Sequence, residues 1–300
     1  MVAGRVEHLE RVKAYGLKRA EMVQLRCGEA EARAVIRRDW PRFSAHVPLV
    51  FPDWYPDWPL TAALVDFDAD RRAATFRLVE ETMALGAELG ADYATVHAQR
   101  AVLLLGEEPG GGSVGEAVAM AREGCERLQE MASRYRLPVH LENMIAHPLF
   151  FAAEHYLEAV RDWSDVWLCL DVGHLIIDAL RFGFDYMEFV ETVAPHVASM
   201  HVYNNRFDGH FEFREMRDRG LLRKLPVHPS QDPTDGWIDV EGTLRTVLAA
   251  NPECFINHEV YASLDTDPAK TREGIAWVES IWREATGMKG PPTPGQEERP

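Results

Sequence analysis

The sequence predicts an α/β protein whose parallel sheet closes as a TIM-type (β/α)8 barrel with its first strand missing or truncated. Three observations carry this. Helical and strand-like stretches alternate along the whole chain, as in successive βα units. Six successive strand candidates each end in a histidine, glutamate or aspartate. In a closed parallel barrel such ends converge on one face, where active sites sit. Finally, 300 residues are ample for one large core.

The elements follow in order. Val6, Leu9 and Val12 share one face of an opening helix. Residues 19–26 read as a strand, 29–38 as a short helix, and 42–49 as a strand carrying His46. A loop over 51–59 is rich in proline and aromatics. A long amphipathic helix spans 70–89, with Phe76, Val79, Met83 and Ala87 inward. A strand over 92–97 carries His97, and the glycine-rich stretch 106–112 leads to a helix over 114–134. The strand at 137–143 carries Glu142, and a helix over 152–163 follows it.

The run Val166 to Leu170 reads as a buried strand capped by Asp171, with His174 just beyond. A carboxylate at the end of a buried strand must be paired, capping or bound to a metal. Residues 175–193 are helical, with a break near Gly183, and 198–203 is a strand carrying His201. Residues 204–237 form a long, charged, irregular stretch; loops of that length are usually functional or disordered. A helix over 240–250, a strand over 254–260 carrying Glu259, and a helix over 268–285 complete the pattern. The domain is expected to span 1–288, with a disordered tail at 289–300 rich in proline, glycine and glutamate. These are seven strands behind an opening helix, so a full barrel needs one more; Met1 to Arg5 could be its vestige.

Composition narrows the function. A formal net charge of −16 weighs against broad contact with nucleic acid or an anionic membrane. No apolar run is long enough to span a bilayer, and charge at 7–11 rules out a signal-peptide core. The four cysteines are scattered with no CxxC pair, so neither a disulfide framework nor a cysteine zinc site is expected, and a reducing cytoplasm fits. Excess carboxylate suits bound divalent cations.

The strand-end residues are His46, His97, Glu142, Asp171, His201 and Glu259, with His174 above them and an Asp208-Gly-His210 turn soon after. Carboxylates packed together repel and desolvate badly. Divalent cations resolve that conflict, and histidine plus carboxylate suits zinc, manganese or iron.

In these motifs, Ser-Ala-His46-Val-Pro, Val-His97, Leu-Glu142-Asn-Met, Leu-Asp171-Val-Gly-His174, Met-His201-Val-Tyr-Asn, Asp208-Gly-His210 and Glu259, the chain resembles the xylose isomerase-like TIM-barrel superfamily. That superfamily includes sugar isomerases, epimerases and endonuclease IV. The resemblance implies one to three divalent ions, as zinc, manganese or magnesium. In the nuclease branch it implies one ion at His46, His97 and Glu142. A second would lie at Glu142, Asp171, His201 and Glu259, and a third at His174, Asp208 and His210. In the isomerase branch only the second set is used, and one or both glutamates also move protons. The sequence departs from the nuclease pattern after His97 (Ala-Gln-Arg) and after Asp171 (Val-Gly).

Two enzyme readings and one blander reading result. In the first, the protein is a metal-dependent isomerase or epimerase of a small sugar, sugar phosphate or related hydroxycarbonyl, acting through a metal-stabilised enediolate. Glu142 and Glu259 serve as base and acid. Arg100 and Arg206 could bind a phosphate or hydroxyl, or be solvated loop residues. Trp54, Tyr55 and Trp58 could close over a sugar face, or pack the loop on the barrel rim. In the second, it is an endonuclease IV-like phosphodiesterase acting on abasic DNA. In the third, it is a degenerate barrel without turnover. A homodimer is compatible with all three.

Overall fold

In a computed structural model, nine strands among the described residues form one sheet, and the pairings between them are parallel. The structure describes residues 1–3, 6–25, 27–55, 62–108, 110–207, 223–260 and 267–287. The strands are β1 (Val2–Ala3), β2 (Ala20–Leu25), β3 (Phe43–Val50), β4 (Ala63–Val65), β5 (Ala94–Gln99), β6 (Val139–Glu142), β7 (Val166–Asp171), β8 (Val197–Val202) and β9 (Phe255–His258). The ladder runs β1-β2-β3-β5-β6-β7-β8-β9. The first strand, expected to be missing or truncated, is a stub of two residues, Val2 and Ala3, lying parallel to Glu21 and Met22, within the stretch read as its vestige. The sequence reading lacked β4. It joins only the upper half of β5, pairing Ala63 with His97 and Val65 with Gln99, whereas β3 holds the lower half.

Helices return the chain between strands: α1 (Val6–Ala14), α2 (Glu29–Asp39), α3 (Ala69–Leu89), α4 (Val102–Leu105), α5 (Val114–Tyr135), α6 (Ala153–Val160), α7 (Val172–Phe182), α8 (Tyr186–Val193), α9 (Val240–Ala250) and α10 (Pro268–Thr286). Their ends are set locally. Asp68 caps α3, and Ser113 with Glu116 forms a capping box at α5. The expected break near Gly183 is a left-handed C-cap, φ 77°, which separates α7 from α8.

Strand geometry then sorts the side chains, because alternate residues face opposite sides of a sheet. Outward residues such as Val96, Leu141, Leu168 and Val202 pack on the Ala117, Ala121, Cys125 and Leu128 face of α5 and its neighbours. A second cluster joins Leu9 and Val12 of α1 and Ile36 of α2 to Met22, Phe43 and Ala45. The intervening positions are polar: Ser44 and His46, Thr95 and His97, His140 and Glu142, Cys169 and Asp171, Ser199 and His201. Their contacts cross the barrel. Asn257 of β9 donates to Glu21 of β2 at 3.1 Å, and His140 of β6 meets Ser199 of β8 at 2.9 Å.

Candidate metal centre

The interior holds two polar layers. The lower one is organised by Glu21, a fully buried carboxylate. Its Oε2 accepts from Ser44 at 3.2 Å, Tyr93 at 3.2 Å, Thr95 at 3.4 Å and Asn257 at 3.1 Å. Its Oε1 lies 2.6 Å from His201 Nε2. Burial acts to raise the Glu21 pKa, but the facing His201 and His46 outweigh it, and the carboxyl stays below its ordinary range. An ionised Glu21 accepts the Nε2 proton of His201. Burial acts to lower the His201 pKa, but Cys169, Glu21 and Glu142 outweigh it and hold it well above its ordinary value, so His201 Nδ1 also carries a proton, which a bound ion would displace to gain the nitrogen as a donor.

The upper layer is formed by the strand ends. His201 Nδ1 lies 3.5 Å from Glu142 Oε1, 3.9 Å from Asp171 Oδ2 and 3.6 Å from Glu259 Oε2. Asp171 divides its work between its two oxygens. Oδ1 caps α7, accepting from Gly173 N at 3.0 Å and His174 N at 2.8 Å. Among the described residues, Oδ2 is buried with no hydrogen-bond partner, and so is His201 Nδ1. A buried polar atom left unsatisfied costs about 1–3 kcal/mol, and here two lie 3.9 Å apart. Their spacing fits a divalent ion, because donors about 2.1 Å from a common centre lie about 3–4 Å apart. One atom each of Glu142, Asp171 and His201 lies within 4.8 Å of the others. The donor set of imidazole nitrogen and carboxylate oxygens suits zinc, manganese or magnesium. The residues present therefore fit the ion that the sequence reading expected.

Backbone packing fixes this geometry. A Cβ at Gly173 would lie 2.2 Å from the Tyr203 ring, so only glycine lets α7 start this close to β8. Asn143 holds the β7 end in place, accepting from Asp171 N at 2.7 Å and donating to Asp171 O at 3.1 Å.

On the other side of Glu142, Oε2 lies 2.8 Å from His46 Nε2 and 3.7 Å from His97 Nε2. His46, His97 and Glu142 form a second group of donors close enough for one ion. Here His46 is already satisfied on both ring nitrogens, since its Nδ1 also meets Val47 O at 3.1 Å. Burial acts to raise the Glu142 pKa, but His201, His97 and His46 outweigh it and hold the carboxyl well below its usual range. His174 Nδ1 sits 3.4 Å from Asp171 Oδ2, 3.5 Å from Glu142 Oε1 and 3.0 Å from Asn143 O.

The structure thus brings together His46, His97, Glu142, Asp171, His174, His201 and Glu259. Asp208, His210 and Trp58 lie outside the described residues. Arg100 is buried and gives its guanidinium to Glu107 at 2.8 and 2.9 Å. Arg206 is exposed and donates to Asp235 O at 2.8 Å. Trp54 turns to α3, where its Nε1 meets Glu81 at 3.0 Å and Arg77 lies over its ring at 3.8 Å.

Sequence reasoning missed Glu21 and Lys224. Glu21 carried a signal, since it sits in register with Ser44, the polar residue two before His46. Lys224 had none. It reaches the site because its neighbour Leu225 forms a two-bond backbone bridge with Asn204, at 2.9 and 3.1 Å.

Comparison with known proteins agrees with this architecture. The structure resembles 3-keto-D-glucoside 4-epimerase from E. coli, with TM-score 0.61 and 15% identity, over 93% of this chain and 98% of that one. It also resembles an L-ribulose 3-epimerase, with TM-score 0.64 and 15% identity, over 95% and 92% of the two chains. A third neighbour is a xylose isomerase-like TIM-barrel protein from Mycobacterium smegmatis in complex with magnesium, with TM-score 0.61 and 14% identity, over 93% and 88%. Such identities speak for the fold alone. No curated relative matches the chain in sequence. The family model for the xylose isomerase-like TIM barrel matches residues 28–281. By that match, which takes in every strand end of the interior cluster, the chain belongs to the xylose isomerase-like TIM-barrel family.

Proposed function

We propose that the protein is a divalent-metal-dependent isomerase or epimerase acting on a small sugar, sugar phosphate or related hydroxycarbonyl. The observation that carries this reading is the pair of orphaned buried atoms, Asp171 Oδ2 and His201 Nδ1, facing Glu142 and Glu259 across one hollow. Glu142, Asp171, His201 and Glu259 would hold one ion. When bound, that ion would supply Lewis acidity toward adjacent hydroxyl and carbonyl oxygens of a substrate. The epimerases among the structural neighbours support the choice of substrate class.

The chain's own residues do the remaining work. Glu142 and Glu259 approach the hollow from two different strand ends, and each is held ionised. For Glu259, burial acts to raise its pKa, but Lys224 and His201 outweigh it and bring it to about 2. A carboxylate in that state can take the proton from the carbon beside a carbonyl and, once protonated, can return it to the neighbouring carbon or to a substrate oxygen. Burial around the cluster excludes water from the exchange.

The test is a metal-loaded assay of keto and aldo sugars, with metal analysis of the purified protein. The reading predicts about one tightly held divalent ion per chain and interconversion of at least one sugar pair, lost on chelation and restored by metal. A protein that takes up no zinc, manganese or magnesium would overturn it. The His46, His97 and Glu142 group favours a second reading, a multinuclear phosphodiesterase. Incision of abasic-site DNA without any sugar turnover would select that reading instead.

A further inference from the structure

Lys224 places an ammonium group inside the acidic hollow. Its Nζ bonds Glu259 Oε2 and lies 3.5 Å from the orphaned Asp171 Oδ2. Its side chain is only 9% exposed, and Nζ rests 4.6 Å over the Tyr203 ring. A buried ammonium persists only where carboxylates compensate it. The carboxylates that compensate this one are two of the four groups expected to hold the ion. Glu259 shows the consequence. Glu142, Asp171 and His201 come within mutual reach of one ion, but Glu259 is not of that group and gives its oxygen to Lys224.

We propose that Lys224 is a tethered cation that competes with the divalent ion for Asp171 and Glu259, so that metal entry requires its ammonium to withdraw. The inference rests on the metal reading above and deepens it by assigning a control on metal occupancy. Two cations cannot share Asp171 Oδ2 and Glu259 Oε2 at contact distance without strong mutual repulsion. The segment that carries Lys224 is suited to this exchange. Leu225 is pinned by its backbone bridge to Asn204, and Asn204 is fixed in turn by Gln231 and Ile238. The anchor therefore stays at the rim while a long, flexible side chain moves. In the metal-free protein Lys224 relieves the repulsion among the carboxylates, and the site pays for this occupant with weaker metal affinity.

The test measures Mn2+ binding by competition with a chromophoric chelator for the wild-type chain, Lys224→Met and Lys224→Gln. Both substitutions remove the charge, and the second keeps a hydrogen-bond donor for Glu259. The expected result is affinity roughly 10- to 100-fold tighter in both variants. Wild-type binding with equal or weaker binding in the variants overturns the role of Lys224 and leaves the metal reading standing. Absence of Mn2+ binding in all three overturns both. Binding in the variants alone supports the inference in its strongest form. Should neither variant fold, the wild type still decides. Its Lys224 amine should react faster with a succinimidyl ester once Mn2+ is bound, read by peptide mass spectrometry. Unchanged labelling of the metal-bound protein overturns the proposal.

Discussion

Glu142 belongs to two groups of donors, one on each carboxylate oxygen, and the groups differ in whether they are complete. On the Oε2 side, His46 Nε2 lies at 2.8 Å and His46 Nδ1 has a carbonyl at 3.1 Å, so that side is closed around His46. On the Oε1 side, His201 Nδ1 and Asp171 Oδ2 have no hydrogen-bond partner among the described residues, only charged groups at 3.4–3.9 Å. Both sides contain residue types that bind metals. Only one leaves their binding atoms unsatisfied, and only there would an ion relieve a cost that the fold already bears. Metal-capable residues within reach of one another are therefore weaker evidence than orphaned atoms aimed at a shared point.

The largest expected effect comes from removing a donor on the open side. Asp171→Asn keeps the α7 cap oxygen but replaces the orphaned one with an amide or misplaces it. Metal binding should be lost, and turnover should fall about 1,000-fold or more, the equivalent of several kcal/mol of lost stabilisation. Retention of a tight ion in this variant would break the comparison at its centre. Next comes Glu21→Gln, which leaves every donor atom in place but no longer fixes the proton on His201 Nε2. Affinity should drop about 10- to 100-fold with the fold intact, as measured by chelator competition and circular dichroism. His97→Ala, on the closed side, should leave the number of ions per chain unchanged and affinity within about threefold. His97 Nε2 stands 3.7 Å from Glu142, beyond hydrogen-bonding distance. A drop from two or more ions to one would show that the closed side also carries metal.

The strand-end residues were legible because a barrel converts a local pattern into a shared place. His46, Glu142, Asp171 and His201 each close an apolar run, and parallel closure brings such ends together whatever lies between them. Gly183 was legible for a similar reason, as a helix terminator acts within its own turn. Glu21 was not read as a site residue. Arg19 and Gln24 beside it give the strand an exposed character, and its partner His201 is 180 residues away. The three-residue β4 is too short for any periodicity to show. Trp54 was read either as closing over a sugar face or as packing the loop on the barrel rim, and its indole lies against Glu81 and Arg77 of α3, partners that the aromatic loop itself does not reveal. Local signals thus predicted what each element offers, and the missing information was which distant group answers it.

The smallest expected effect sharpens the contrast between histidines paired with carboxylates and those that burial keeps neutral although a carboxylate acts on them, Asp66 on His147 and Glu21 on His140. His147 is fully buried, and its Nδ1 accepts from Leu149 N at 3.3 Å. His140 stacks on Tyr93 with ring centroids 3.9 Å apart and meets Ser199 at 2.9 Å. Burial pushes His147 down to about 4 and His140 down to about 3, so both are neutral in the folded protein. In the unfolded chain each takes a proton near the ordinary value of 6.5. Between these limits the unfolded state binds more protons, so stability falls as pH drops below about 6.5. Each residue contributes up to about 1.4 kcal/mol per pH unit to that fall. His147→Gln should remove its share. Urea unfolding with chelator present should show about 1–2 kcal/mol less loss between pH 7 and pH 5 than in the wild type. An identical loss in both proteins would mean that His147 takes up its proton while folded. The distinction between neutral histidines and carboxylate-paired ones would then fail, because burial alone would not be what keeps a histidine uncharged in this barrel.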